Sequence, residues 1–183
     1  MDKQDCIQLF NAMHPGFFEQ AYIRTLPEKY VFDEMILSLK EFDPHRYGKK
    51  LEDTVSFGFY ESDLEGLKRA VEKVDEDWPR YFNERSRVFC GYVDGEIASF
   101  CILEDLGTHT VGGRAVKVGG PGCVGTLPEY RDRGIGLTMV AHATQCLKKE
   151  GFDYSYIHYT YVAPWYEKLG YAVCLQWNCR GIK

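Results

Sequence analysis

The chain has 183 residues, 45% hydrophobic and 27% charged, the composition of a soluble globular protein with one domain, or one domain and an appendage, and a substantial core. Its net charge of −5 argues against a general nucleic-acid binder, and no apolar run approaches the ~20 residues that span a bilayer. The N-terminus, Met1-Asp-Lys-Gln-Asp-Cys6, lacks the basic-then-apolar pattern of a signal peptide, so a cytoplasmic setting with no nucleic-acid and no membrane partner is expected.

Residues 2–13 read as a helix with an imperfect stripe at Ile7, Phe10 and Ala12, stopped by His14-Pro15-Gly16. Residues 17–30 are aromatic-rich and broken by Pro27, with Phe17, Phe18 and Tyr22 read as core. In residues 30–42 the apolar positions Val31, Met35, Ile36, Leu39 and Phe42 have the spacing of an amphipathic helix. Residues 1–50 therefore read as a helical extension, packed on the main domain (residues 51–183) or on a second subunit of a homodimer.

The rhythm changes from Leu51. Residues 54–60 read as a strand, and Asp63 caps a helix over 64–74 with Leu64, Leu67, Val71 and Val74 on one face. Residues 88–93 and 96–103 form a hairpin about Asp94-Gly95, and Gly112-Gly113 turns a second one between 108–111 and 114–118. The central strand continues to Thr126. A helix over 134–149, ended by Gly151, a strand over 154–160, a short helix over 163–169 and a strand over 171–177 complete the chain. In the short helix Trp165 and Leu169 define the apolar stripe. The fold class is α/β (α+β), with a mixed sheet.

Seven scattered cysteines with no Cys-x-x-Cys pair fit neither a disulfide framework nor a zinc site. Five dispersed histidines lack a His-x-x-x-His pair, and no metal is expected.

The chemistry concentrates between Gly120 and Leu137. Arg131-Asp-Arg-Gly134-Ile-Gly136 opens an apolar-periodic helix, and a glycine-bearing loop at a helix N-terminus is an anion cradle. Arg131 and Arg133 add donors suited to phosphate oxygens. Gly120-x-Gly122-x-x-Gly125 matches the dinucleotide fingerprint formally but not in context. Thr126-Leu-Pro-Glu-Tyr follows where a helix should open, and position 145 is Gln where an acidic residue should stand.

Arg131-x-x-Gly134-x-Gly136 resembles the Arg/Gln-x-x-Gly-x-Gly/Ala signature of the GCN5-related N-acetyltransferases, the GNAT superfamily. Tyr166-Glu-Lys-Leu-Gly-Tyr171 is similar to that family's Tyr-Glu-Lys-x-Gly-Phe segment. The resemblance covers about residues 51–177. It implies a mostly antiparallel mixed sheet with a central V-shaped splay, flanking helices, and acetyl-CoA as co-substrate. Main-chain groups of Val124, Gly125 and Thr126 would hold the pantetheine and polarise the thioester. The amides of Arg131, Asp132, Arg133, Gly134, Ile135, Gly136, Leu137 and Thr138 would cradle the pyrophosphate. Val124 and Thr126, two apart, present alike on one strand, and the neighbouring glycines make that strand irregular.

By the same resemblance, Tyr166 is the general acid that protonates the departing thiolate. For the general base, His158 offers an imidazole that accepts a proton near neutral pH, and Glu104 stands as an alternative. Many relatives carry Asn seven residues before the tyrosine, where this chain has Tyr159. The expected activity is transfer of an acetyl group to a primary amine of a small molecule or peptide by direct attack on the thioester. The alternative is a non-catalytic CoA-binding sensor or interaction module on the same fold. Tyr154, Tyr156, Tyr159, Tyr161, Trp78 and Tyr81 could enclose a cationic amine or form core.

Overall fold

The computed structural model describes residues 1–47 and 49–183. The elements in chain order are α1 (Lys3–Met13), α2 (Ala21–Arg24), β1 (Phe32–Ser38), β2 (Val55–Phe59), α3 (Leu64–Glu72), β3 (Val88–Val93), β4 (Glu96–Val111), β5 (Arg114–Thr126), α4 (Ile135–Lys149), β6 (Tyr154–Thr160), α5 (Ala163–Glu167), β7 (Ala172–Asn178) and β8 (Gly181–Ile182). The strands hydrogen-bond in the order β2-β3-β4-β5-β6-β1-β7-β8. β2 with β3, β3 with β4, β1 with both β6 and β7, and β7 with β8 are antiparallel, while β5 and β6 run parallel. The architecture is the expected mixed α/β one.

Local chemistry explains the elements that stand where periodicity put them. The Asp63 carboxylate accepts the Gly66 amide at 2.6 Å, closing the first turn of α3. Asp2 does the same for α1 through the Asp5 amide at 2.8 Å. Asp94 and Gly95 both take positive φ, 51° and 85°, as a tight hairpin turn requires.

The expected helix over residues 30–42 is instead β1, hydrogen-bonded on both edges. Phe32 and Glu34 are buried in one phase, Met35, Leu37 and Leu39 in the other, with the phase slipping by one residue at a bulge beside Glu34. Two period-two runs joined by a slip reproduce helix-like spacing, and that imitation misled the helical reading. Tyr22, expected in the core, is 51% exposed, whereas Phe17 is buried.

The chain divides into two compact units. The first comprises Met1–Phe42, Asp105–Gly120 and Leu147–Lys183. Its core joins Phe10, Phe17 and Ile23 from the helical start of the chain to Phe32 of β1 and Leu175 and Trp177 of β7. The second comprises Asp43–Glu104 and Pro121–Cys146. There Leu67 and Val71 of α3 pack with Phe82, Val88, Phe100 and Leu127.

The parallel ladder of β5 and β6 has two rungs, Val118 to Tyr154 and Gly119 to Ser155. A Cβ added at the next residue, Gly120, would lie 1.9 Å from the Tyr156 carbonyl oxygen, so backbone approaches backbone there as only glycine permits. Beyond Gly119 the described ladder between the two strands ends, as the expected splay requires.

Candidate active site

The anion cradle is built within the second unit. Two residues in the left-handed region, Asp132 (φ 61°) and Gly134 (φ 84°), turn the chain into α4. The Gly134 carbonyl accepts both the amide and the hydroxyl of Thr138, at 3.1 and 2.9 Å. The first-turn amides of Ile135, Gly136 and Leu137 accordingly have no acceptor inside the helix. Ile135, Leu137, Met139 and Val140 anchor the helix in the core and fix that turn in place.

Cations border the loop. Arg131 is exposed, and its Nε donates to the Thr126 carbonyl at 3.2 Å, tying the loop to the end of β5. Arg133 pairs with Glu52 at 2.8 Å and lies over the Tyr130 ring. Lys49, which no motif singles out, donates from Nζ to the Asp132 carbonyl at 3.1 Å. A Cβ at Gly134 would meet the Lys49 stem at 2.4 Å and the Tyr47 hydroxyl at 3.2 Å, so these two side chains lie against the loop. Lys49-Lys50 in a polar loop has no periodicity or motif that could have marked it.

The last residues of β5, also in this unit, are irregular as the glycines suggested. Cys123 takes φ 46° in mid-strand, and Val124 and Thr126 beyond it are half-buried. Burial pushes the Cys123 thiol up to about 12, with Glu104 and Asp75 adding to the rise. The thiol is therefore protonated at neutral pH and is a poor nucleophile. Glu104 on β4 comes close to this stretch: a Cβ at Gly122 would lie 2.9 Å from its Oε2. Elsewhere in the unit an open cavity of about 710 Å³ is lined by Tyr60, Arg69, Lys73, Tyr92 and Glu96.

Tyr166 and His158 belong to the first unit. In α5 the buried face is Ala163, Tyr166 and, just past the helix, Leu169, while Trp165 is half-exposed. The expected stripe through Trp165 is thus corrected by one position, because a five-residue helix is oriented by its neighbours rather than by its own periodicity. Tyr166, 5% exposed, packs near the rings of Trp165 and Tyr171 at 4.8 and 6.0 Å.

His158 lies on β6 with 30% of its side chain exposed, and its Nδ1 is 2.9 Å from Oε2 of the fully buried Glu34. Glu34, on the strand mistaken for a helix, is the site-like residue that sequence reasoning missed. Tyr159, where many relatives carry Asn, packs its ring edge-on to Phe32 at 4.5 Å. Of the aromatic residues weighed as an amine enclosure, Tyr156 is 1% exposed, while Tyr161 and Tyr81 are 78% and 49% exposed.

Comparisons with known proteins agree with this fold. The sequence model of the family described as acetyltransferase (GNAT) domain matches residues 53–174. A glycine N-acyltransferase of Bos taurus is 34% identical over 85 residues, which are 46% of this chain and 29% of that protein. Among solved structures, a fungal multi-domain β-N-acetylglucosaminidase with a GCN5-related glucosamine N-acetyltransferase region aligns with a TM-score of 0.64 at 22% identity, over 82% of this chain and 20% of that one. A GCN5-related N-acetyltransferase from Kribbella flavida aligns with a TM-score of 0.54 at 15% identity, over 81% and 56% of the two chains. At such identities the solved structures attest the fold. This chain spans 29% of the length of the bovine relative and 20% and 56% of these two structures.

Proposed function

The chain belongs to the family of GNAT acetyltransferase domains, and from that premise we propose that it is an acetyl-CoA-dependent N-acetyltransferase acting on a primary amine of a small molecule or peptide. One observation carries the choice of donor. The left-handed turn at Asp132 and Gly134 opens a helix whose first-turn amides have no acceptor inside it, at a loop bordered by Arg131, Arg133 and Lys49, which suits a pyrophosphate.

The thioester supplies an electrophilic carbonyl and a thiolate leaving group. Backbone N–H groups of Val124, Gly125 and Thr126 polarise that carbonyl and stabilise the oxyanion that follows attack. The amine nitrogen bonds to the carbonyl carbon, the carbon–sulfur bond breaks, and an amide and free CoA result. His158 takes the proton that the amine nitrogen loses on bonding to the carbonyl carbon, and the Tyr166 hydroxyl gives one to the departing sulfur. We assign the base to His158 rather than to the exposed Glu104, because the His158 ring is held through Nδ1 by the buried Glu34 carboxylate. The protonated Cys123 thiol supports direct transfer over an acyl-cysteine route.

Thiol release from acyl-CoA, measured across a panel of amines, tests this reading. Glycine belongs in the panel, and longer acyl-CoAs among the donors, because of the bovine relative's name. Tyr166→Phe should keep acetyl-CoA affinity within a few-fold and lower kcat by about 10²-fold, the worth of a general acid. An unchanged kcat across pH would remove Tyr166 from the mechanism. Tight CoA binding without release on any amine would favour a CoA-binding sensor.

A further inference from the structure

Inside the first unit the Glu34 carboxylate is 0% exposed, a placement tolerable only where donors surround it. Trp177 donates from Nε1 to Oε1 at 2.7 Å, and the Tyr159 amide donates to the same oxygen at 3.2 Å. His158 Nδ1 lies 2.9 Å from Oε2 and 3.0 Å from Oε1. With two N–H donors already on Oε1, the carboxylate offers acceptors to Nδ1, and the Nδ1–H tautomer of His158 is the form that donates to it.

The backbone is bent to make this set. Opposite Glu34 the pairing of β1 with β6 slips register, and Tyr159 is held at φ 57°, which a bulky side chain adopts only when its surroundings enforce it. His14 stacks on the His158 ring, centroids 4.0 Å apart and planes at 17°. Burial first, and then the neighbouring His158, lower the His14 pKa to about 4, so the stacking partner is neutral at physiological pH.

His14, Glu34 and His158 also bring ligand-type atoms within 4.8 Å of one another. A zinc ion bound at ~2.0–2.1 Å would draw tetrahedral donors to about 3.4 Å apart and displace the Nδ1 proton. The lone pairs of two stacked rings lie in separate, nearly parallel planes and do not meet at a common point. The set is arranged around a proton rather than an ion.

We propose that Glu34 is a positioning residue for acyl transfer: its buried carboxylate holds His158 as the Nδ1–H tautomer, leaving the lone pair on Nε2 to take the proton that the amine nitrogen gives up as it bonds to the thioester carbon. This rests on His158 being the base. When Nε2 accepts that proton, the imidazolium forms beside an anion already in place. Nδ1–H stays bonded to Glu34, no proton passes to the carboxylate, and Nε2 later releases its proton to solvent.

Histidine-selective 15N labelling of the full chain, with long-range proton–nitrogen correlation, reads the tautomer directly, and loss of the resonance in His158→Gln assigns it. Wild-type protein should show His158 protonated at Nδ1 and bare at Nε2. In Glu34→Gln the side-chain amide can donate to Nδ1, so the proton should move to Nε2. Its kcat for thiol release should fall about 10²-fold, to the level of His158→Gln, with the KM for acetyl-CoA within about threefold. Wild-type His158 found as the Nε2–H tautomer overturns the proposal without requiring any variant to fold. The expected tautomer combined with full turnover in His158→Gln also overturns it, leaving Glu34 a residue of the fold while acyl transfer stands. If the wild type releases no thiol with any amine or acyl-CoA, acyl transfer itself fails and the positioning role fails with it.

Discussion

At the scale of single residues, His14 and Cys123 show burial setting protonation in opposite chemical directions. For Cys123 it keeps the thiol protonated and inert; for His14 it keeps the imidazole neutral. The His14 shift has a consequence for stability. Its folded pKa, about 4, lies below the ordinary 6.5, so between those values the unfolded chain binds more protons than the folded one. Stability from this residue is therefore complete above pH 6.5 and is lost as pH falls toward 4. Thermal melts of the wild type should show a falling Tm across that window. His14→Gln, which cannot charge, should give a shallower slope there and the same slope above pH 7. Parallel curves for the two proteins would show that His14 charges as readily in the folded chain as in the unfolded one.

At the scale of elements, α4 and its entry loop were legible because their signal is local. Glycine punctuation, flanking arginines and a 3.6-residue period all fall within some 20 positions. That locality makes a sharp test possible at Gly134, whose φ of 84° strains any side chain and especially a β-branched one. Gly134→Val should abolish the calorimetric heat of acetyl-CoA binding while circular dichroism remains that of the wild type; wild-type affinity would sink the pyrophosphate cradle. β1 was illegible for the opposite reason. Its bulge shifts the apolar phase by one, and its partners lie far along the chain, as the 124-residue separation of Glu34 and His158 shows. No window of sequence contains both ends of that contact, and Lys49 escaped notice in the same way, 83 residues from the loop it touches. Because β1 is bonded on both edges and Met35 is fully buried, Met35→Ala should cost about 2–5 kcal/mol by urea denaturation. A cost under about 1 kcal/mol would place residues 30–42 at the periphery, as a helical extension would have them.

At the scale of the whole molecule, a chain of net charge −5 is proposed to bind a polyanion, so the long-range field and the local site oppose each other. Long-range repulsion between like charges is screened beyond about 10 Å at 0.1 M salt, whereas contacts inside the cradle act at hydrogen-bond distance and are screened less. The cradle cations are nonetheless partly in water: Arg131 is exposed, and the Arg133 side chain is 32% exposed beside Glu52. Their pairing with phosphate should dominate the salt response. We therefore expect acetyl-CoA affinity, measured by calorimetry, to weaken as sodium chloride is raised from about 0.05 to 0.5 M. Lys49→Ala should lose a few-fold in affinity at the low end, corresponding to about 1 kcal/mol, and the gap to the wild type should narrow at the high end. Both proteins should keep the same Tm, because Lys49 donates to a backbone carbonyl on an exposed loop. Affinity that rises with salt in the wild type would mean that the global negative field, not the loop at Gly134, controls approach of the donor. A Lys49→Ala curve superimposable on that of the wild type would remove Lys49 from the phosphate site and leave the cradle to Arg131, Arg133 and the helix amides.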